Sequence, residues 1–516
     1  MSTFGGLSIS ISGLYANKKS LDTISHNISN VNTPGYVRQQ ALHESAYYKK
    51  IAGGFKAGTG ANVQQIRQIR DEFLDMKFRD ENEKFGYWES KSNMMQGVES
   101  IFNEVSDSGI QKIMDQFWNG WEELSKHSDS LTIRGLVHER AVAFTEAVNH
   151  IRTQLDSLQL NLNKDIDNNI FRINNIIKGV SDLNQKIRDI ESTDVNVKAN
   201  DLRDKRNNLI DELSGMIPIT TEYANDGSIN VSTKGRLLVV EDQYRELTKK
   251  QNDKGYNYLA YKRTGDKIDL NEDEGQIAGL ISVRDKEIEE MKLRLNLFVN
   301  TVAKAVNKEH KNGYDLLGNS VSGTNAEKFF TTKNGTGKIE AGNIQVNPEL
   351  SDYNKIAASL NGDTGNGEIA KAICELRDEQ IFDDIKNPDG TINEKGTITE
   401  LLDKASDYDG TPLEGLIKEI DTKQDEYKSM TSDDFYRNLI LKIGLSRGQA
   451  RSIAKNQTIL IGQIDGKRQS ISGVSLDEEM TAMMKYQHSY VANSRVINAI
   501  DGMIENIINK MGIVGR

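Results

Sequence analysis

Few residues in this chain stand in patterns that could do chemistry. His43-Glu44 and His138-Glu139 open the pattern of a zinc protease helix, in which two histidines four residues apart hold the metal and the glutamate acts as base. Tyr47 and Val142 occupy the places where the second histidine must stand. The seven histidines are otherwise scattered, and no Gly-x-Ser-x-Gly elbow presents a nucleophile. The glycines of Gly53-Gly54-Phe55-Lys56-Ala57-Gly58-Thr59-Gly60 invite a phosphate-loop reading, but the Lys-Ser/Thr pair that would meet phosphate and magnesium is missing. They read as tight turns between strands. Asn361-Gly362-Asp363 and Asn387-Pro388-Asp389-Gly390 lack the ordered oxygen ligands and closing glutamate of a calcium hand. Trp88, Trp118 and Trp121 have the faces to stack on bases or sugars, yet their helix-periodic setting points to core. Cys374 is the single cysteine and can form no intramolecular disulfide; it reads as a small buried or half-buried residue. The expectation is a protein that is not an enzyme and uses no metal or cofactor.

What remains is a chain of 516 residues, enough for three or four domains at roughly 150 residues each. With 37% hydrophobic and 27% charged residues and only five prolines, it suits long helices with much surface for their volume. A net charge of −11 argues against a general nucleic-acid binder, which needs a positive surface to neutralise phosphates. No stretch approaches the roughly 18 apolar residues of a membrane span. Met1 to Gly6 lack the basic start and apolar block of a cleaved secretory signal, so export would need a route that reads an uncleaved end.

The sustained signals lie at the two ends. Leu476, Met483, Tyr490, Ile497, Ile504 and Met511 recur every seventh residue, and Leu7, Leu14, Leu21 and Ile28 form the same line near the start. Such repeats mark helices that seek partner helices. Alternation between Ser8 and Ser12 also permits a strand reading of the first turns. The N-terminal helix is expected from about Leu7 to about Asn30, ending where Asn27, Asn30 and Asn32 accumulate. Thr33-Pro34-Gly35-Tyr36 follows, with Pro34 and Gly35 in the two central positions of a type II turn.

Between the ends, a helical signal runs from about Glu139 to about Ile190, with Val148, Leu155, Leu162, Ile176, Leu183 and Ile190 on one line. Its companion positions slip by one residue midway. At 1.5 Å per residue this segment is about 75 Å long, so part of the molecule is expected to be a rod. A helix from Asn200 to Met216 ends at Pro218, and glycine-punctuated hairpins follow to about Leu270. Another helix runs from Gly275 to His310. The fold class expected is mainly α with β-rich insertions, an elongated multi-domain rod. Its domains are a terminal coiled-coil assembly domain (1–40 and 472–516), a helical rod domain (41–217, 276–312 and 431–471), a small β-rich domain (218–275) and an inserted outer domain (313–430).

Ser25-His26-Asn27-Ile28-Ser29-Asn30-Val31-Asn32-Thr33-Pro34-Gly35-Tyr36-Val37-Arg38 closely resembles the N-terminal motif of the bacterial flagellar axial proteins of rod, hook and hook-filament junction. His26 departs from the asparagine usual there, and Ser25 and Ser29 from alanines. Ser472 to Met480, continuing through Tyr486-Gln487 and Tyr490 to Arg495-Val496-Ile497, resembles the C-terminal signature of the same group. Within it, three features are similar to the hook-associated junction family, the FlgK type: Gln116-Phe117-Trp118 through Arg134, Asn200 to Arg206 with Asp211-Glu212-Leu213, and Gly275 to Leu280 with Arg284-Asp285.

The resemblance implies a structural subunit of the flagellum, exported unfolded through the type III apparatus and located at the hook-filament junction. Its implied partners are further copies in a ring, the hook protein, a second junction protein or filament subunits, and an export chaperone. The expected assembly residues are the two seven-residue lines together with Asn27, Asn30, Asn32, Thr33, Pro34, Gly35 and Tyr36. A hook or distal rod subunit is the nearest rival, disfavoured by the long helical section. An adhesin or enzyme carried through residues 313–430 is a rival of a different class, and an intracellular coiled-coil scaffold a third. In a free subunit the axial reading expects about the first 40 and last 40 residues to be cleaved early.

Overall fold

The computed structural model describes residues 3–50, 56–102, 109–194, 196–335, 337–383 and 430–510. Met511, Gly53-Gly54 and Asn387 to Gly390 lie outside them. The described chain is mainly α-helical with small antiparallel sheets. It divides into two compact bodies, one of residues 1–87, 168–277 and 455–516, the other of 88–167 and 278–454.

In the first body, helix α1 spans Thr3–Ser29, so the alternation at Ser8 to Ser12 is helical, not a strand. Strand β1 (Gln39–Ser45) pairs antiparallel with β4 (Ala61–Gln68), and between them β2 (Tyr48–Lys50) pairs with β3 (Lys56–Gly58). These strands open the segment expected to be helical rod, and helix α2 (Glu72–Phe102) begins only after them. Helix α5 (Asn200–Met216) has the bounds read from the sequence. It crosses α2 closely, because both helices carry glycine at the contact: a Cβ on Gly86 would lie 2.0 Å from the carbonyl oxygen of Gly215. Asn82 secures the crossing with hydrogen bonds to Asp211 O (2.8 Å) and Ser214 Oγ (3.0 Å).

The β-rich segment of this body forms a four-stranded sheet, β5 (Thr220–Tyr223), β6 (Ile229–Thr233), β7 (Arg236–Val240) and β8 (Gln243–Tyr244) in sequence order, and a hairpin of β9 (Leu247–Gln251) with β10 (Asn257–Tyr261). Lys234 and Gly235 both have positive φ, 47° and 75°, as a two-residue hairpin turn with the right twist requires.

Helix α4 spans Leu131–Glu191, eight residues longer at its start than expected. Ser130 supplies the missing signal: its Oγ accepts from Ile133 N at 3.4 Å at the helix start. The buried line follows Val148, Leu155 and Leu162, then passes to Ile166, Ile173, Val180 and Ile187. Ile190, placed on the first line by the sequence, is 40% exposed. The phase slip is therefore an added four-residue step, and the chain changes from one body to the other at the same place.

The second body contains α3 (Ile110–Lys126), the part of α6 (Gly275–Ser282) from Ala278 on, and the π-helical turn at Val283–Glu287 and α7 (Ile288–Lys311) that continue it without a break. Its core is aromatic. Phe117 lies 5.9 Å from Phe330 and 6.0 Å from Phe144, while Trp121 lies 5.1 Å from Phe329. Phe329 and Phe330 belong to the segment expected to loop out as an inserted domain. Its described part, residues 313–383, instead shares this core, with β11 (Phe330–Thr332), β12 (Ile344–Val346) and α8 (Glu368–Glu375). Gly367 sits against the backbone of Ser125, where a Cβ would come within 2.2 Å of the carbonyl oxygen. The remaining long helices are α9 (Ser432–Ser472) and α10 (Leu476–Lys510).

Candidate assembly site

Helices α1 and α10 run antiparallel against each other, and their contacts repeat every seven residues. A Cβ on Gly6 would meet Ile500 Cδ1 at 3.3 Å, and one on Gly13 would meet the Asn493 side chain at 2.9 Å. Ser20 Oγ lies 2.8 Å from His43 Nε2, and that imidazole stacks on Tyr486 with centroids 5.7 Å apart and planes at 7°. Asn27 Nδ2 donates to Glu479 Oε2 at 3.1 Å. The line of closest approach on α1 is therefore Gly6, Gly13, Ser20 and Asn27, one residue before the line of leucines. Small side chains let the backbones come together there.

Leu7, Leu14, Leu21 and Ile28 stand beside that line and are half-buried, as are Met483, Tyr490, Ile497 and Ile504 on α10. The deeper positions of α1 are Ser10, Ala16, Ser20, Thr23, Ile24 and Asn27. Leu476 does not enter the seam: it is 48% exposed. Its place at the root is taken by Glu479, 1% exposed. A carboxylate can be buried there because it is paired: Arg38 Nε donates to Glu479 Oε1 at 2.7 Å, and Arg38 Nη1 to Glu478 Oε2 at 2.7 Å.

The asparagine-rich helix end and the turn form the base of this pair. Asn27 Oδ1 accepts from Gln39 N at 3.0 Å and from the Tyr36 hydroxyl at 2.8 Å, and its Nδ2 donates to Gln39 O at 2.8 Å. Tyr36 N donates to Thr33 O at 3.1 Å and Gly35 has φ 73°, which closes the type II turn around Pro34 and Gly35. Asn30 is half-buried and bonds back to His26 O, while Asn32, Thr33, Pro34 and Gly35 are exposed. A Cβ on Gly35 would fall 2.1 Å from the Asn208 amide of α5. Residues 31–36 and Arg38 on one side, and 469–471, 473–475 and Glu478 on the other, line an open cleft of about 480 Å³.

Helix α5 anchors the turn through its first residues. Val37 N donates to Asp204 Oδ2 (3.1 Å), Gln39 Nε2 to Asp201 Oδ1 (2.8 Å), and Gln68 Nε2 to Asp204 Oδ1 (2.6 Å). Burial pushes the Asp204 carboxyl up to about 7, against the Val37 amide and Arg70, which favour the anion. Tyr36 is held protonated well above its usual range, by burial first and then by Asp201, Asp204 and Glu479. Burial, and then Lys485, lower the His43 imidazole. Arg38, Gln39, Asp201, Asp204 and Glu479 lie outside the assembly residues expected from the sequence. A glutamate at 479 in a seven-residue line with Tyr486, Asn493 and Ile500 was the available signal.

The patterns weighed for chemistry stay apart. His43 lies on a strand and His138 on α4, and among the described residues no three His, Cys, Asp or Glu side chains are grouped to hold a metal. Trp118 and Trp121 are core, Trp88 is half-buried, and Cys374 is half-buried on α8 with its thiol pushed up by burial. Among the described residues no helix is long and apolar enough to cross a membrane.

Three family models match: the flagellar hook-associated protein FlgK helical domain over residues 95–330, the flagellar basal body rod FlgEFG protein C-terminal region over 467–510, and the flagella basal body rod protein over 7–36. The chain is 28% identical to flagellar hook-associated protein 1 of Bacillus subtilis (strain 168), over 100% of both chains. It is 23% identical to the protein of that name from Escherichia coli (strain K12), covering 97% of this chain and 98% of that one. The flagellar hook junction protein FlgK from Burkholderia pseudomallei shares the fold with a TM-score of 0.57 at 12% identity, over 76% of this chain and 100% of that chain. The helical-domain match between two rod-type ends, together with full-length likeness to hook-associated proteins, leads to one conclusion: along its whole length the chain is similar to the FlgK-type flagellar hook-associated proteins.

Proposed function

We propose that the protein is a structural subunit of the bacterial flagellum that joins hook to filament, with α1 and α10 as its assembly surface. One observation carries this reading. After α10 has packed on α1, its remaining surface still exposes Met480 (51%), Met484 (53%), Val491 (41%), Val496 (47%), Met503 (53%) and Ile508 (67%). An apolar surface on all sides of one helix calls for more helices than a single chain supplies. Further copies of the chain, arranged as a ring, meet that need. The hook protein on one side and a second junction protein or filament subunits on the other are the axial partners, and an export chaperone covers the helix before secretion. In this reading 1–40 and 472–516 are the assembly segments, and the sheet of residues 218–275 lies on the outside. The protein acts through binding, not catalysis.

Ile497→Asp puts a charge in the half-buried seam. In a strain that lacks the wild-type gene, this variant is expected to be exported yet to leave hooks without filaments, while tryptophan fluorescence shows the second body folded. Filaments attached at the wild-type frequency would refute the assignment of the seam.

A further inference from the structure

Helix α10 is apolar on several faces, so apolar burial alone does not decide which face meets α1. The link Gly473 to Ser475 between α9 and α10 limits sliding along the axis but leaves rotation about it open. At the root of the pair, Leu476 and Met480 are 48% and 51% exposed, whereas Glu479 between them is 1% exposed. Burial of a carboxylate in preference to two apolar neighbours three residues before and one after it is the reverse of hydrophobic sorting. Only the partners Arg38 and Asn27 make it stable, and both are held by the body itself. Arg38 N donates to Ser472 O at 2.8 Å, and Asn27 is locked to Gln39 from both ends of its amide. A lone polar contact that fixes the alignment of an otherwise permissive helix pair is the best-attested use of buried polar groups.

We propose that Glu479, clamped by Arg38 and Asn27, is the phase-setting residue of the terminal pair: it selects the face of α10 that packs on α1 and thereby the face left for neighbouring copies. The second clause rests on the assembly reading above; the first does not. Rotation of α10 by one residue would bring Ala492 in place of Asn493 toward Gly13, and would take Glu479 away from its clamp.

The test is disulfide trapping in the full-length free subunit with Cys374→Ser, which captures the paired state each time the two ends meet and so reads the pairing although the ends open often enough to be cleaved early. Gly13→Cys with Asn493→Cys is expected to crosslink readily, and Gly13→Cys with Ala492→Cys at least tenfold more slowly. Adding Glu479→Leu is expected to slow the first pair at least tenfold and speed the second. Glu479→Gln, which keeps the size and much of the hydrogen bonding, is expected to shift the ratio in the same direction by about threefold and guards against a variant that fails to fold. Unchanged ratios in both variants would overturn the proposal. A shifted ratio with filaments joined normally would uphold the phase-setting role and count against the assembly reading.

Discussion

His310 ties α7 to the segment that follows it, and acid should loosen that tie by a calculable amount. The imidazole is fully buried, with Nδ1 3.2 Å from Glu327 O and Nε2 accepting from Ala357 N at 3.0 Å. Since Nε2 must accept, the proton sits on Nδ1 and the ring is neutral. Burial first, and then the Arg134 guanidinium, take its pKa from an ordinary 6.5 to about 4. A folded value below the unfolded one means that the unfolded chain takes up the proton first. The stabilisation is complete above about 6.5 and is lost as pH falls through 4. At about 1.4 kcal/mol per unit, the loss is about 3 kcal/mol for this single group. Urea unfolding followed by tryptophan fluorescence from pH 4 to 7.5 reads it, because Trp118 and Trp121 are buried in the same core. Other carboxylates titrate in this window, so the comparison is with His310→Gln, which can donate and accept in place of the ring but does not ionise. The stability difference between the two proteins should grow by about 3 kcal/mol from pH 4 to 7. Parallel curves would refute the reasoning.

Two further outcomes follow from the first body. Asp204, raised to about 7, has the opposite sign: its contribution is complete below the ordinary carboxylate range and is lost as pH rises from about 4 through 7. Hydrogen exchange at the Val37 amide, corrected for the intrinsic rate, should therefore report more opening at pH 8 than at pH 5, and Asp204→Asn should abolish the difference. Gly86→Ala drives a methyl group into the Gly215 carbonyl, and a backbone obstacle cannot rotate away. The cost is expected at the upper end of the ~1–3 kcal/mol range for overpacking, seen as a lower urea midpoint with an unchanged slope.

Elements held by local signals were legible in the sequence. Helix α5 begins and ends where Asn200 and Pro218 indicate, and the positive φ of Gly35 follows from its place in the turn. Ser130 carries the start of α4, a single-residue signal weaker than the apolar pattern that begins near Glu139. Residues 313–383 were illegible for a different reason. Phe329, Phe330, Ala341, Ile344 and Leu350 are buried, yet they follow neither a period of two nor one of 3.6. Their burial comes from α3 and α4, distant in the chain, and from α7. At the seam, the largest apolar side chains stand beside the line of closest approach, which favours the smallest residues, Gly6 and Gly13, and no periodicity shows that Arg38 serves a glutamate 441 residues away.

Asn27 and Glu479 stand 452 residues apart in the chain and 3.1 Å apart in space. For inheritance, the two ends are thus one object written in two places. A change at one end alters the fitness of its partner at the other, whatever lies between, so the ends are expected to drift as a matched pair. Strands β1 and β4 share in the seam, through His43 against Ser20 and Tyr486 and through the Ala61 amide on Ser12; the chain beyond them is free to be lengthened, shortened or exchanged as a cassette, provided that α5 still presents Asp201 and Asp204 to the turn.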